Sequence, residues 1–191
     1  MSQETAGRRY SGQSFEDRRA ERRVRLIRAA VTVAGKVGIE ASSVAAICGE
    51  AGLTARYFYE SFPSREALFL EAYRTVQEVL LARIAEQADP ADPVRRAVTG
   101  FFEALKANPG IARVFLVDLD DHGPEMKAAS RQGARKLAGH FAPAASHPLM
   151  AAGVLGAIID IARRWIESGF AEPPEKVVAI AMRFTEVARR G

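Results

Sequence analysis

The sequence predicts an all-α fold, built either as one domain or as a small head followed by a larger body. Three observations carry that expectation. No segment keeps the period-two alternation of a half-buried strand. Proline and glycine clusters at 87–93, 108–110, 122–124, 142–148 and 168–174 divide the chain into lengths that suit helices. Residues 44–68, VAAICGEAGLTARYFYESFPSREAL, hold two short runs with apolar faces, separated by a glycine.

The first helix is expected over Arg22 to Gly38, where Leu26, Ile27, Ala30, Val31, Ala34 and Val37 recur at helical intervals. Ser42 and Ser43 then offer hydroxyls to the free amides of a second helix whose Val44, Ala45, Ile47, Cys48 and Ala51 make a small-residue apolar face. Gly52 accepts the left-handed angles of a sharp turn, and Thr54 is placed to cap the next helix. That third helix starts at about Thr54 and runs through Glu60 until Ser61, Phe62 and Pro63 stop it. Six more lengths follow: Arg65 to Ala85, Val94 to Ala107, Ile111 to Asp121, Glu125 to Phe141, Leu149 to Glu167 and Pro174 to Arg190. The expected total is nine helices, with a disordered basic arm at 1–18, a head at 19–65 and a body at 66–191.

The third helix has a surface chemistry of its own, with one guanidinium (Arg56) and two phenols (Tyr57, Tyr59) beside an expected core residue, Phe58. Two short helices joined by a turn of three or four residues are a helix-turn-helix, which brings the N-terminal side chains of its second helix into a DNA major groove. Charge points the same way. Through Arg65 the chain holds 11 basic and 7 acidic residues, a net of +4, and the remainder holds 16 of each. Such a concentration serves phosphate neutralisation, with affinity that falls steeply as salt rises. The arm, with Arg8, Arg9 and Arg18 among Gly, Ser and Gln, reads either as a DNA-touching extension or as a solvated tail.

Ile27-Arg28-Ala29-Ala30, Gly38, Ile47, Ala51-Gly52-Leu53-Thr54, Phe58-Tyr59, Phe62, Arg65-Glu66 and Leu68 together resemble the N-terminal domain of TetR-type transcriptional repressors. The resemblance covers about 50 of the 191 residues. It implies a nine-helix, TetR-like architecture: a DNA-binding head on a body that binds a small molecule and dimerises. Thr54 matches the opening residue of the family's recognition helix, Ala55 and Arg56 its variable pair, Tyr59 its phosphate-contacting tyrosine and Arg65 its basic residue opening the fourth helix. Two positions depart. Tyr57 stands where a small or hydroxyl residue is usual, and Ser61 replaces a frequent histidine, which weakens one backbone contact. The candidate DNA-contacting residues are therefore Ser43, Thr54, Ala55, Arg56, Tyr57, Tyr59 and Arg65. Arg56 suits either bidentate readout of guanine or a phosphate contact.

In the last two helices the apolar face is wide. Leu155, Ile159 and Trp165 on one, with Val178, Phe184 and Val187 on the other, are candidates for a homodimer interface, and the resemblance implies a two-fold four-helix bundle from these elements. A two-fold dimer requires a palindromic operator. For a small-molecule effector, largely apolar, the candidate lining is Phe101, Phe102, Leu105, Phe115, Met126 and Met150, with Asp118 as the one polar position on that stripe. An ordinary core would use the same residue types.

Other function classes are disfavoured. No Glu-x-x-His pair, His-Glu-x-x-His, phosphate-binding glycine loop or Gly-x-Ser-x-Gly elbow occurs, so neither an enzyme nor a cofactor is expected. Asp120, Asp121 and His122 are consecutive and radiate around a helix, which argues against a metal site. A small-molecule-binding helical enzyme or a protein-binding adaptor remains the alternative, but an adaptor leaves the Thr54 to Tyr59 surface unexplained. The apolar run in 141–159 is too short to span a bilayer, no secretory signal opens the chain, and the lone Cys48 reads as a buried small hydrophobe. The expected location is the cytoplasm.

Overall fold

A computed structural model describes residues 15–86, 91–116 and 123–190. Those residues form helices and connecting turns without a strand, in the order α1 (Phe15–Val37), α2 (Val44–Ala51), α3 (Ala55–Ser61), α4 (Arg65–Glu86), α5 (Pro93–Ala107), α6 (Pro109–Phe115), α7 (Gly123–Phe141), α8 (Pro148–Glu167) and α9 (Pro174–Arg190). The all-α expectation holds, and α3 and α9 lie within a residue of their expected places.

Several boundaries differ, and the starts of α1 and α6 do so for local reasons. α1 already begins at Phe15, with Glu16 and Asp17 in its first turn, where carboxylates favour the positive end of the helix dipole. The last four residues of the expected arm are thus helical; residues 1–14 lie outside the described residues. α6 starts two residues early because Asn108 caps it: its Oδ1 accepts from the amides of Gly110 (3.0 Å) and Ile111 (3.1 Å), and Pro109 fills the first helical position. That helix ends at Phe115, short of the expected Asp121, and Asp118, Asp120, Asp121 and His122 lie outside the described residues.

α1 is the axis of the head and packs on α2, α3, α4 and α6. Leu26, Ala30, Ile47, Phe58, Phe62 and Leu68 close over one another there, fully buried. In the body, Phe101 sits at the centre of a ring cluster. Its centroid lies 5.5 Å from Phe102, 6.0 Å from Phe115 and 5.4 Å from Phe141, all edge-on, the geometry aromatic quadrupoles favour. Both sets belong to one continuous core, with α4 running from one to the other.

Head and body meet most closely where α1 crosses α6. A Cβ added to Gly35 would lie 2.9 Å from the Gly110 Cα, and one added to Gly110 would collide with the Val31 carbonyl oxygen. Only paired glycines let these backbones approach so far.

At the other end, the α8–α9 turn is closed by Trp165. Its Nε1 donates to the Glu172 carbonyl at 2.8 Å, and its ring meets Phe170 edge-on at 4.9 Å, holding Phe170 at a left-handed φ of 61°.

Candidate nucleic-acid interface

The interface candidate is built by α2, its turn and α3. Ser43, extended at φ −73° and ψ 155°, accepts the Ala46 amide at 3.2 Å and so caps α2 as expected. Ser42 does something else: it is buried and donates to the Gly38 carbonyl at 2.6 Å, tying the α1–α2 turn. Gly52 takes the left-handed conformation (φ 61°, ψ 39°), and the next amide, Leu53, returns to the Cys48 carbonyl at 2.9 Å. Burial pushes the Cys48 thiol up from its ordinary pKa, consistent with a small core side chain.

α3 begins at Ala55. Thr54 adopts the extended backbone of a cap, but its side chain makes no capping bond, so the hydroxyl stays free on the surface. The helix is anchored by Phe58 and Phe62, both buried, while Tyr59 is 61% exposed beside them. Arg56 projects outward with 85% of its side chain exposed and pairs with Glu60 one turn later, Nε to Oε1 at 2.9 Å. An exposed pair at this spacing contributes only about 0.3–0.5 kcal/mol, so a stronger anion can displace the carboxylate.

The structure thus places Ser43, Thr54, Ala55, Arg56, Tyr57 and Tyr59 on the exposed side of this motif. Arg65 is used differently. It is half-buried, and its Nη1 donates to the carbonyls of Ile39 (3.0 Å) and Glu40 (3.2 Å), so it staples α4 to the α1–α2 turn. Ser61 is also occupied: it is buried, donates to the Tyr57 carbonyl at 2.8 Å and receives Arg23 Nη1 on its own carbonyl at 2.7 Å.

Sequence reasoning counted the α1 arginines as charge and missed their placement. Arg23 also lies over the Phe62 ring at 4.2 Å, and Arg25 Nη2 donates to the Ala51 carbonyl at 2.6 Å, just before the glycine turn. Arg22 lies over the Tyr57 ring with its guanidinium carbon 4.8 Å from the centroid. Their clustering at the start of the expected first helix was visible; the carbonyls and rings they meet, up to 38 residues away, were not.

In the body, Phe101, Phe102, Leu105, Phe115 and Met126 are all buried and Met150 is half-buried. The described clefts lie elsewhere. One of about 430 Å³ is bordered by Val94, Phe141, Met182 and Thr185 at the α5–α9 end. Another, about 320 Å³ and mostly apolar, runs between α1, α4 and α6, bordered by Val24, Ile27, Val31, Val76, Val79 and Ile111. A part-buried polar contact joins α4 and α7: Gln77 Nε2 donates to the Ala129 carbonyl at 3.2 Å, in the space left by Gly133. Beside it, burial holds the Tyr73 hydroxyl above its ordinary pKa, with hydrogen bonds to Ser130 and Gln77 opposing the shift.

The candidate dimer residues separate by exposure. Phe184 is 44% and Val187 60% exposed on the outer side of α9, and Ile159 is half-buried on α8. Leu155, Trp165 and Val178 are already buried in their own protomer, Trp165 against Phe102 at 5.7 Å. They face the intrachain core because α5 and α8 both pack around α9. Among the described residues no helix is long and apolar enough to cross a membrane.

Residues 26–72 match the family model of bacterial regulatory proteins of the tetR family. Over 128 residues the chain is 27% identical to the HTH-type transcriptional regulator BetI of Vibrio campbellii, covering 63% of this chain and 64% of that protein, less than two thirds of its length. Solved structures extend the likeness of fold over most of the chain. A transcriptional regulator from Rhodococcus sp. Rha1 superposes with a TM-score of 0.74 at 24% identity, covering 88% of this chain and 96% of that one. FadR from Bacillus subtilis, in complex with stearoyl-CoA, superposes with a TM-score of 0.67 at 17% identity, covering 88% and 98%.

Proposed function

We propose that this chain, whose N-terminal domain belongs to the tetR family of bacterial regulatory proteins, is a dimeric repressor that binds a palindromic operator and leaves it when a small molecule occupies the body. The observation that carries this reading is α3: a short helix anchored inward by Phe58 and Phe62, with Thr54, Arg56 and Tyr59 exposed outward after a glycine turn. The excess positive charge lies in the same third of the sequence.

In this reading Arg56 leaves Glu60 to meet a base or a phosphate, Thr54 and Tyr59 contact the backbone, and Ser43 borders the groove. Arg65 holds the head together through Nη1, and its other donors stand at the start of α4 for a backbone phosphate. A head ending near residue 65 and a body from 66 onward share α4, which packs on α1 as well as on α5, α6 and α7. Two protomers join through the outer side of α9, where Phe184 and Val187 are exposed, with Ile159 of α8 at the edge.

An effector stabilises a body conformation in which the two recognition helices no longer match the operator, and it weakens binding only by its preference for that conformation. The effector we expect is largely apolar, because the body interior offers mainly aromatic and aliphatic side chains. FadR, similar in fold, holds stearoyl-CoA, whose acyl chain is of this kind. The chain acts by binding, needs no cofactor or metal, and works in the cytoplasm, where the chromosome is.

Selection of bound sequences from a random duplex library by the purified protein tests the reading, with the best site titrated at two salt concentrations and the oligomer measured by light scattering. A palindromic site, a steep loss of affinity with salt and a dimeric mass are expected. A folded protein that enriches no sequence would overturn the proposal.

A further inference from the structure

We propose that Arg22 is a phosphate clamp held in place by Tyr57: the recognition helix presents its phenol ring to α1, and the guanidinium resting on that ring receives a backbone phosphate of duplex DNA beside the groove. The inference rests on the DNA-binding reading above.

Tyr57 is where the chain departs from the pattern it otherwise follows, and a phenol at the third position of a seven-residue helix is a large group to leave 39% exposed. The structure gives it a task. Its ring carries the Arg22 guanidinium at 4.8 Å, within the range at which a cation and an aromatic face attract.

Arg22 differs from the arginines bonded around α2 and α3 in that its donors are unspent. Arg23 donates to the Ser61 carbonyl and lies 3.8 Å from Glu71; Arg25 donates to Ala51, Arg65 to Ile39 and Glu40, and Arg56 is paired with Glu60. Arg22 makes no hydrogen bond or ion pair among the described residues, and its Nε is shut off from solvent without a partner. Burying a guanidinium N–H unpaired is unfavourable, so a small shift that turns this group toward a phosphate gains a bond that the folded protein alone does not make. The unspent fork of a guanidinium matches the oxygens of a phosphodiester.

Stacking also removes much of the rotamer freedom that a long side chain would lose on binding, so the contact forms with less entropic loss. Arg56 and Arg22 thereby divide the work. Arg56 must first release Glu60, whereas Arg22 waits beside α3 with nothing to release.

The experiment compares wild type, Arg22→Gln, Tyr57→Phe and Tyr57→Leu on the selected operator across a salt series, with thermal melting to follow the fold. Loss of a charge-assisted contact in each half-site predicts operator affinity about a hundred- to ten-thousandfold lower for Arg22→Gln. Two phosphates fewer, one for each protomer of the dimer, predict a log-log salt slope shallower by about 1.8. Tyr57→Phe keeps the ring, so its log-log salt slope should stay at the wild-type value whatever the hydroxyl contributes to affinity. Tyr57→Leu should lose much of the same affinity, and adding Arg22→Gln to it should cost little more. An unchanged slope in Arg22→Gln, with or without weaker binding, would overturn the clamp while leaving the regulator reading intact. A wild-type protein that binds no duplex would overturn both.

Discussion

The head and the body close similar aromatic side chains under helices, yet different forces hold them. In the head, α1 reaches its neighbours through guanidinium groups: Arg23 on the end of α3, Arg25 on the end of α2, and Arg65 reaching back from α4 to the α1–α2 turn. Each bond ends on a carbonyl at a helix end or turn, where the backbone lacks a helical partner. The body is held by rings, Phe101 with Phe102, Phe115 and Phe141, and Phe102 with Trp165. A head of about 50 residues has little apolar area to bury, and directional bonds at its turns compensate. They also hold the recognition helix at a defined angle, which non-directional burial does less well.

Truncating one buried ring in each region tests that contrast most strongly. Phe58→Ala and Phe101→Ala should each destabilise by about 3–5 kcal/mol. In denaturant titrations followed by operator binding, Phe58→Ala should abolish binding at denaturant concentrations where the body is still folded, whereas Phe101→Ala should retain it until the whole chain unfolds. Equal loss of binding in the two variants would mean that the regions fold as a single cooperative unit. Next in size is Arg25→Ala. It removes a 2.6 Å charged bond to the Ala51 carbonyl, so a loss of about 1.5–3 kcal/mol is expected in the same titrations, with a parallel fall in affinity. A fall in stability below about 0.5 kcal/mol would show that the arginine staples are solvated charges rather than structure.

Smallest is Glu60→Gln. It removes an exposed pair with Arg56 contributing about 0.3–0.5 kcal/mol, leaves the fold unchanged and frees the guanidinium. Affinity for random duplex should rise severalfold at low salt, and measuring it across a salt series checks this. An unchanged value would place Arg56 away from the phosphates.

The helix-turn-helix was legible because its signals are local: a hydroxyl cap, a glycine turn and a short helix with inward Phe58 and Phe62 all fall within about 20 residues. Exposure of Arg56 and Tyr59 follows from the same periodicity. Trp165 shows the opposite case. On α8 it has the spacing of an interface residue, but the α8–α9 turn folds Phe170 back onto its ring, and Phe102 covers the other side. Helical spacing says that a side chain faces something apolar; it does not say whether that surface belongs to the same chain.

Taken by itself, the sequence determined the all-α class, the places of most turns, the exposed side of α3 and the gathering of positive charge at one end, because caps, periodicity and charge act over a few residues. Only the tertiary structure decided which cations are spent and which are free. Arg22, Arg23, Arg25 and Arg65 are alike as residues, and their roles differ because a guanidinium takes whichever carbonyl or ring the packing of distant helices brings within reach. The same holds for Gly35 and Gly110, 75 positions apart, which have a common purpose only once α1 crosses α6.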